Sequence, residues 1–416
     1  MTEMTASSDN SDTRESDELR QYRLTARAWL AANLTIDVNH DLPDNPTAED
    51  IDRLHELQAR LHAAGYTGFT FPVEYGGQGL TPEHERVFYQ EAERYGLPLR
   101  FFAVSINIIG ATLLATASHE QKLRYLPTIL CGEEVWLQFL SEPSGGSDLA
   151  GLLTSAVRDG DSFVVNGQKT WSTAAHLCDF ALCPVRTSWD VPKHKGISAL
   201  IIDLRTPGID VRRIRQINGE ADFCEEFLTD VTVPVTGLVG DENEGWRVVR
   251  TMLEIEHAWI GRGGSGRLKR IDDNSNIQDL VALARTNEQA SDPGVRRRLV
   301  ALHAAIETHK LAAARISGAI DAGKLPSGYG SLLKLGNDNL MQRRSEEALT
   351  LAGSDGVAWP SDSPSEWAHE YLTSRAASIA GGSDEILRNN ISERLLGLPR
   401  ESSPDRDLPF NQVPHN

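Results

Sequence analysis

One loop of the chain has the composition of an anion-binding site. It is the run SEPSGGSD, residues 141–148, within the longer stretch from Leu137 to Thr173. Backbone N–H groups in a loop of glycines and hydroxyls can cradle an anion such as a pyrophosphate. The same stretch contains a DGD turn, an NG turn and a final WST, which indicate β-structure around the loop. A glycine loop alone is weak evidence, so the pattern predicts only a polar loop outside a β-core.

A carboxylate within an apolar helical pattern is the candidate for acid–base chemistry. In WRVVRTMLEIEHAWIG, helical spacing puts Glu256 on the apolar stripe, whose other members are Val249, Met252, Leu253 and Ile260. A separate polar stripe carries Arg250, Glu254 and His257. Desolvation on the apolar side should raise the pKa of Glu256, which suits a general base. The alternative is a buried glutamate paired with an arginine that the sequence does not identify.

The run GRGGSG, residues 261–266, looks like a dinucleotide-binding fingerprint but lacks the required context. It follows a helical pattern rather than a strand, and no βαβ unit surrounds it. Small residues that allow close packing of helices are the preferred interpretation.

Hydrophobic periodicity divides the chain into three regions. Helical spacing predicts an N-terminal α-helical domain over 18–137, and period-two runs predict a middle β-domain over 138–245. Long helical patterns, including 295–319 and 330–352, predict a C-terminal α-helical domain over 246–400. Residues 1–17 and 401–416 are both predicted to be disordered tails. The order helix–strand–helix indicates the α+β class.

Composition excludes several classes of protein. The 416 residues include 59 acidic and 41 basic side chains, giving a formal net charge of −18, which argues against a nucleic-acid partner. Four irregularly spaced cysteines predict neither a disulfide framework nor a metal site, and they favour a reducing cytoplasmic location. No run approaches the ~18–20 apolar residues of a membrane span, and the acidic N-terminus is not that of a signal peptide.

The stretch from Leu137 to Thr173 closely resembles the flavin-binding middle domain of acyl-CoA dehydrogenases, and the resemblance extends from about Leu61 to Arg400. It implies an N-terminal helical domain, a middle β-domain and a C-terminal four-helix bundle. The implied activity is FAD-dependent α,β-desaturation of an acyl-CoA thioester, by removal of the α-proton and transfer of a β-hydride to flavin N5. The implied electron acceptor is an electron-transfer flavoprotein.

The resemblance also assigns residues to the cofactor. Ser141 stands where a threonine is more usual, at the N5/O4 edge of the flavin, and Trp171 would shield one flavin face. The implied cofactor-binding residues are Gln138, Leu140, Ser141, Gly146, Ser147, Trp171, Ser172, Thr173, Arg285, Thr350, Gly353, Ser354, Ser383 and Glu385. The implied substrate contacts are Ser147, His257 and Gly382. From spacing alone, Trp171 would be an ordinary core or interface aromatic, Ser147 a loop cap and Arg285 a solvated helix residue.

Two features of the resemblance bear on assembly and on the adenosine half of FAD. Arg285 matches an arginine that a neighbouring subunit sends to the pyrophosphate, which implies a homotetramer arranged as a dimer of dimers. Thr350 and Arg297 stand where the family often has glutamines, so the adenosine contacts are not fixed in detail.

The catalytic base is the point at which this chain departs most from the family. At the position where most members carry the base, the chain has Gly381. The long-chain and isovaleryl branches place the base in a Glu-Arg pair, which here is Glu256 followed by His257. The prediction is therefore that Glu256 is the base, with a histidine replacing the usual arginine beside it.

Three functions remain open from the sequence. The first is the dehydrogenase described above, and the second is a non-catalytic partner subunit of a heteromeric dehydrogenase, motivated by Gly381 and His257. The third is an acyl-CoA oxidase, whose chains are usually much longer. Straight, branched and ring-bearing acyl groups all remain possible.

Overall fold

The structure is a computed structural model that describes residues 15–35, 46–95, 97, 99–261, 275–358 and 365–414. The GRGGSG run lies outside these ranges after its first glycine. The chain forms two compact units, Met1–Leu99 and Arg100–Asn416.

The first unit is helical. It contains α1 (Asp17–Asn33), α2 (Ala48–Ala63) and α3 (Pro82–Ala92), with a short 3-10 turn at Val73–Tyr75. Its core is aromatic: the rings of Tyr66 and Phe88 stack with centroids 4.7 Å apart. α3 begins at Pro82 directly after Thr81, because proline is favoured at the first position of a helix. Ser16 caps α1 by accepting a hydrogen bond from the Leu19 amide, so the first helix already begins inside the predicted tail.

The second unit begins with helices that precede the sheet. They are α4 (Leu99–Ala103), a π-helical segment (Val104–Gly110), α5 (Ala111–Thr116) and α6 (His119–Cys131). The Ser105 hydroxyl joins the π-helical segment to the first strand by bonding both the amide and the carbonyl of Trp136. The region 18–137 is thus divided between the two units.

Within the described residues, eight strands form one sheet. They are β1 (Trp136–Gln138), β2 (Ser155–Asp159), β3 (Ser162–Thr173), β4 (Phe180–Arg186), β5 (Ile197–Asp203), β6 (Ile209–Ile214), β7 (Phe223–Pro234) and β8 (Leu238–Val239). The strands lie in the order β6-β7-β3-β2-β4-β5-β8, and β1 pairs in parallel with β4. The period-two runs identified in the sequence all fall in these strands.

The two turn signals of the sequence have different outcomes. The DGD turn is confirmed: Gly160 adopts a left-handed conformation between β2 and β3. The NG turn is wrong, because Asn166 and Gly167 lie inside β3 at a register shift. A side chain at Gly167 would overlap Thr154, whose hydroxyl oxygen would lie 2.5 Å from an added Cβ. Here glycine permits close packing rather than a turn.

Helices pack on the sheet and on one another in the rest of the second unit. α7 (Gly245–Gly261) packs on β5, and its residues Val248, Val249 and Met252 are buried. The remaining helices are α8 (Ser275–Thr286), α9 (Pro293–Asp321), α10 (Gly330–Ala352), α11 (Ser354–Val357), α12 (Glu366–Ala377) and α13 (Asp384–Asn390). α10 is central, contacting α7, α8, α9, α12 and α13. The predicted order of helical domain, β-domain and helical domain is confirmed.

The end of the chain differs from the expectation of a tail without fixed structure. Phe410 is buried, its amide bonds the Val191 carbonyl at 2.9 Å, and its ring lies 3.9 Å from the Arg186 guanidinium. That guanidinium in turn donates to the Ala150 carbonyl at 2.6 Å. The sequence pattern missed this segment because one aromatic in a polar run carries no periodic signal. None of the described helices is long and apolar enough to cross a membrane.

Candidate active site

A glutamate and a glutamine from different elements meet at the junction of the sheet and the helices. Glu256 lies on α7 and Gln138 ends β1, and the Gln138 amide Nε2 donates to Glu256 Oε1 at 3.2 Å. Burial raises the pKa of Glu256, while the bond from Gln138 and the positive charge of Lys334 act in the opposite direction. The glutamate therefore combines partial burial, a fixed orientation and a raised pKa.

The two sides of α7 differ as the sequence predicts for Glu256 and Glu254. Val249 and Met252 are buried, and Glu256 is partly buried on the same side. Glu254 is 57% exposed and lies 3.6 Å from Arg250. The side chain of Ile260 is outside the described part of the chain.

His257 does not lie on the polar, solvated stripe that the sequence assigned to it. It is partly buried, and its Nε2 lies 3.2 Å from the carbonyl oxygen of Gly381. Burial lowers the pKa of His257, which favours the neutral ring. The residue that the resemblance matches to an arginine therefore contacts the glycine that it matches to the alternative base position. Helical spacing could not show this, because the contact is made by a segment 124 residues away.

The turn before α13 carries two more of the expected contact residues, Gly382 and Ser383. Gly381 and Gly382 both have positive φ, at 66° and 98°, and Ser383 caps α13 by accepting from the Ile386 amide. A Cβ added at Gly382 would lie 3.8 Å from His257 Nε2, so this turn and the histidine are neighbours. Glu385 points away from them, being 77% exposed and 3.5 Å from Arg388.

A buried ion pair behind this turn was not identified from the sequence. Lys334 on α10 donates to Asp338 at 2.6 Å and to the Ala377 carbonyl at 3.0 Å. Burial raises the pKa of Asp338 to about 6 despite this partner. The signal was an i, i+4 pair of opposite charge, which is more often found on a solvated helix face.

The serine- and glycine-containing loop is held by a second buried ion pair. Lys169 on β3 lies 2.9 Å from Glu142 and donates to the Leu140 carbonyl at 3.3 Å. Glu142 also accepts the Leu153 and Thr154 amides, at 2.6 and 3.0 Å. The loop itself is exposed, including Gly146 and Ser147, and the Ser141 hydroxyl faces Gly146. Its fixed base and accessible tip suit a binding loop.

The WST end of β3 contains one inward and two outward side chains. Trp171 has a φ of 67° at a register shift and is 57% exposed, while Thr173 is also exposed. Ser172 is buried and donates to Glu226 at 3.1 Å, so its hydroxyl does not point outward. An exposed tryptophan held in a left-handed conformation offers a flat apolar face at the end of the sheet.

These residues fit the isoalloxazine part of a flavin. Gln138 Oε1 is buried and has no hydrogen-bond partner among the described residues, although Nε2 of the same side chain is bonded. Such an orphaned acceptor is costly unless a bound group donates to it. The exposed Trp171 ring supplies the apolar surface, and the Ser141 hydroxyl supplies a polar group beside the loop.

The remaining expected cofactor residues form a separate group. Arg285 is exposed in the last turn of α8, and Thr350, Gly353 and Ser354 are exposed where α10 ends and α11 begins. The two helix ends are joined because Asn287 and Gln289 both donate to the Leu351 carbonyl, at 2.7 and 3.0 Å. Lys334, whose positive charge acts on Glu256, lies near the other end of α10, about 26 Å from Leu351 along the helix axis. Within one chain, the expected cofactor residues around Arg285 therefore lie far along α10 from Glu256.

Comparison with known families gives matches over most of the chain. Residues 16–133 match the family model described as acyl-CoA dehydrogenase, N-terminal domain. Residues 138–231 match the middle domain of the same family, and residues 243–396 match its C-terminal domain.

Individual proteins resemble the chain over nearly its whole length. The acyl-CoA dehydrogenase IpdE1 of Mycobacterium tuberculosis is 36% identical over 389 residues, which cover 92% of this chain and 99% of that protein. A solved structure titled Tcur3481-Tcur3483 steroid ACAD has a TM-score of 0.75 and 30% identity, covering 94% of this chain and 100% of the other. The ChsE4-ChsE5 complex from Mycobacterium tuberculosis has a TM-score of 0.70 and 26% identity, covering 93% and 99%.

Proposed function

The chain belongs to the acyl-CoA dehydrogenase family, and we propose that it binds FAD and oxidises an acyl-CoA thioester with Glu256 as the base. The observation that carries this proposal is the Glu256–Gln138 pair: a partly buried carboxylate with a raised pKa beside an orphaned acceptor. When bound, FAD supplies the acceptor for the β-hydride. The electrons would then leave to an electron-transfer flavoprotein in the cytoplasm.

The residues of the chain divide the work of the reaction. Glu256 removes the α-proton, and its carboxylate becomes a carboxylic acid as the α-carbon takes on the electron pair of the broken C–H bond. Gln138 holds that carboxylate in one orientation through its Nε2 bond. A dry surrounding keeps the carboxylate basic enough for a weakly acidic C–H. Trp171 and the Ser141 loop would hold the cofactor, and Ser147, His257 and Gly382 would contact the substrate.

We propose that each complete site needs a second chain. The basis is that the expected cofactor residues around Arg285 lie at one end of α10, whereas Glu256 lies toward the other end. A homotetramer in the form of a dimer of dimers meets this need. So does a heteromer, and the titles of two similar structures name pairs of proteins: Tcur3481 with Tcur3483, and ChsE4 with ChsE5.

A non-catalytic role within such a heteromer is the second candidate function. It is favoured by the contact of His257 with Gly381. By the resemblance, His257 stands for an arginine and Gly381 for a catalytic base, so a neutral ring and a glycine meet where charged side chains are expected. It is opposed by Glu256, which is present, oriented and has a raised pKa.

The test is anaerobic titration of the purified protein with CoA thioesters. Flavin content is measured first, and loss of flavin absorbance then reports reduction by each thioester. Ring-bearing thioesters derived from steroids are tried first because of the similarity to the protein titled steroid ACAD; branched and straight chains follow. About one flavin per chain with bleaching by one thioester class supports the enzyme. A colourless chain that gains flavin only when mixed with a second dehydrogenase subunit supports the partner role.

A further inference from the structure

A buried carboxylate that the proposed reaction does not use lies under the end of β3. Glu226 is on β7, directly opposite Lys169 of β3, and is completely buried. Its Oε2 accepts the Ser172 hydroxyl at 3.1 Å. Its Oε1 is buried and has no hydrogen-bond partner among the described residues.

Among the described residues, the cation that acts on Glu226 is Lys169, and Glu142 is better placed to pair with it. Lys169 is completely buried and lies 2.9 Å from Glu142, whose carboxylate also accepts two backbone amides. These contacts lower the pKa of Glu142 against the effect of burial. In the part of the chain that the structure describes, the hydrogen bond to the Glu226 carboxylate comes from the Ser172 hydroxyl. Two ionised carboxylates with one ammonium would leave a net negative charge in the dry interior, which is strongly unfavourable.

The other groups around Glu226 do not remove this imbalance. Glu225 is its neighbour on β7, and its negative charge acts in the same direction as burial. The thiols of Cys178, Cys183 and Cys224 are nearby, and burial raises the pKa of each, so they are neutral at pH 7. The pKa of Glu226 is raised to about 8, chiefly by burial, with Ser172 and Lys169 opposing the shift.

We propose that Glu226 carries a proton at neutral pH and, through Ser172, couples the charge of the sheet interior to the cofactor-facing end of β3. Ser172 lies between Trp171 and Thr173, both exposed at that end. The coupling rests on the proposed function, because it requires flavin at this end. When Glu226 loses its proton, a buried negative charge appears under the flavin-facing surface. That charge opposes the addition of electrons to a bound flavin and so lowers its reduction potential. Glu226 is thus a positioning and tuning residue and not a catalytic one.

The decisive experiment measures the flavin reduction potential of the holoenzyme from pH 6 to pH 9.5. Wild type should show an extra fall in potential that begins near pH 8, and Glu226→Gln should lack it. Glu225→Gln is the matched control: its side chain leaves the opposite face of the same strand, so the extra fall should persist. It should begin at slightly lower pH, because the negative charge of Glu225, which raises the pKa of Glu226, is gone. Ser172→Ala should move the extra fall to higher pH, because the hydroxyl that favours the ionised form is gone. A purely structural role for Glu226 would not shift the pH of the transition.

A second measurement does not depend on flavin. Infrared difference spectra between wild type and Glu226→Gln at pH 7 should contain the carbonyl band of a protonated carboxyl, and this band should disappear as the pH passes about 8. Absence of the band at pH 7 overturns the inference, whatever the cofactor does. Equal pH slopes of potential in wild type and Glu226→Gln overturn the coupling.

Failure of the proposed function would look different. If the protein binds no flavin under any condition, the coupling is judged from the fluorescence of Trp171, taken as wild type minus Trp171→Phe. A change of that fluorescence near pH 8, absent in the Glu226→Gln background, supports the coupling. A pH-independent signal overturns it. If Glu226→Gln does not fold, Ser172→Ala provides the same test. The pH-dependent transition, in flavin potential or in Trp171 fluorescence, should then begin at higher pH than in wild type.

Discussion

Two buried or partly buried glutamates of this protein have raised pKa values for the same main reason and yet occupy opposite kinds of site. Glu256 lies on α7 at the junction of sheet and helices, bonded by Gln138, with part of its surface accessible. Glu226 is sealed between strands, opposite Lys169 and below Ser172. Burial shifts both groups, so the shift alone does not identify a base. Access to a substrate distinguishes them, because a general base must reach the proton that it removes.

The largest expected effect is on the accessible member of the pair. Glu256→Gln keeps the shape and a hydrogen-bond acceptor for Gln138 but cannot take a proton. Flavin reduction by substrate should slow by about 10²–10⁴-fold, while flavin stays bound. Rapid mixing of substrate with the oxidised enzyme measures this rate. Glu254→Gln is the control and should be nearly silent, since Glu254 is 57% exposed on the other side of α7. Equal reduction rates in wild type and Glu256→Gln would mean that another group removes the proton.

The next largest effect is on stability and comes from the buried ion pair between Lys169 and Glu142. Lys169→Met should destabilise the protein by about 3–5 kcal/mol, because it leaves Glu142 buried without its cation. Denaturant unfolding monitored by fluorescence measures this loss. Lys193→Met removes a more exposed pair, in which Lys193 lies 2.7 Å from Asp148, and should cost less than about 1 kcal/mol. If the two variants were equally stable, the interior ion pair would contribute no more than a surface one.

The pH dependence of stability sharpens the contrast further. The pKa of Glu226 is about 8 in the folded protein and 4.5 in a free side chain, so between these values the folded state binds more protons. Its contribution to stability is complete below about pH 4.5 and is lost as the pH rises through 8. The difference in unfolding free energy between wild type and Glu226→Gln should therefore fall by up to about 1.4 kcal/mol per pH unit across that window. Parallel stability curves for the two proteins would contradict this prediction.

The smallest expected effect is on the exposed loop. Ser147→Ala should raise the Michaelis constant for the acyl-CoA by about 2–10-fold, the value of one neutral hydrogen bond. Stability should not change, because Ser147 is exposed and the loop is anchored elsewhere by Glu142. Steady-state kinetics together with an unfolding curve check both statements. A loss of stability without a change in the Michaelis constant would assign Ser147 to the loop rather than to substrate binding.

Local patterns accounted for much of the architecture. The helix from Gly330 to Ala352, the start of α3 at Pro82 and the strands around the DGD turn follow from periodicity and turn chemistry. The apolar stripe of α7 likewise separated Glu256 from Glu254, since both facts depend only on helical geometry. These features are local, so neighbouring residues in the chain are sufficient to specify them.

Long-range contacts account for what the sequence did not show. Gly167 lies within a strand with Thr154 close against it, and the partly buried ring of His257 contacts the Gly381 carbonyl. Phe410 is buried by Arg186, far from it in the chain. In each case the deciding neighbour comes from another element, so no local pattern could reveal it.

The sequence by itself determined the class of fold, the resemblance to a flavin-dependent family and the side of α7 on which Glu256 lies. Only the tertiary structure decided how charges and hydrogen bonds are shared. Lys169 pairs with Glu142 and Ser172 donates to Glu226, while Gln138 Oε1 has no hydrogen-bond partner among the described residues. The physical reason is that helical and strand periods are properties of adjacent residues. Desolvation and ion pairing depend instead on which distant side chains share the same dry space.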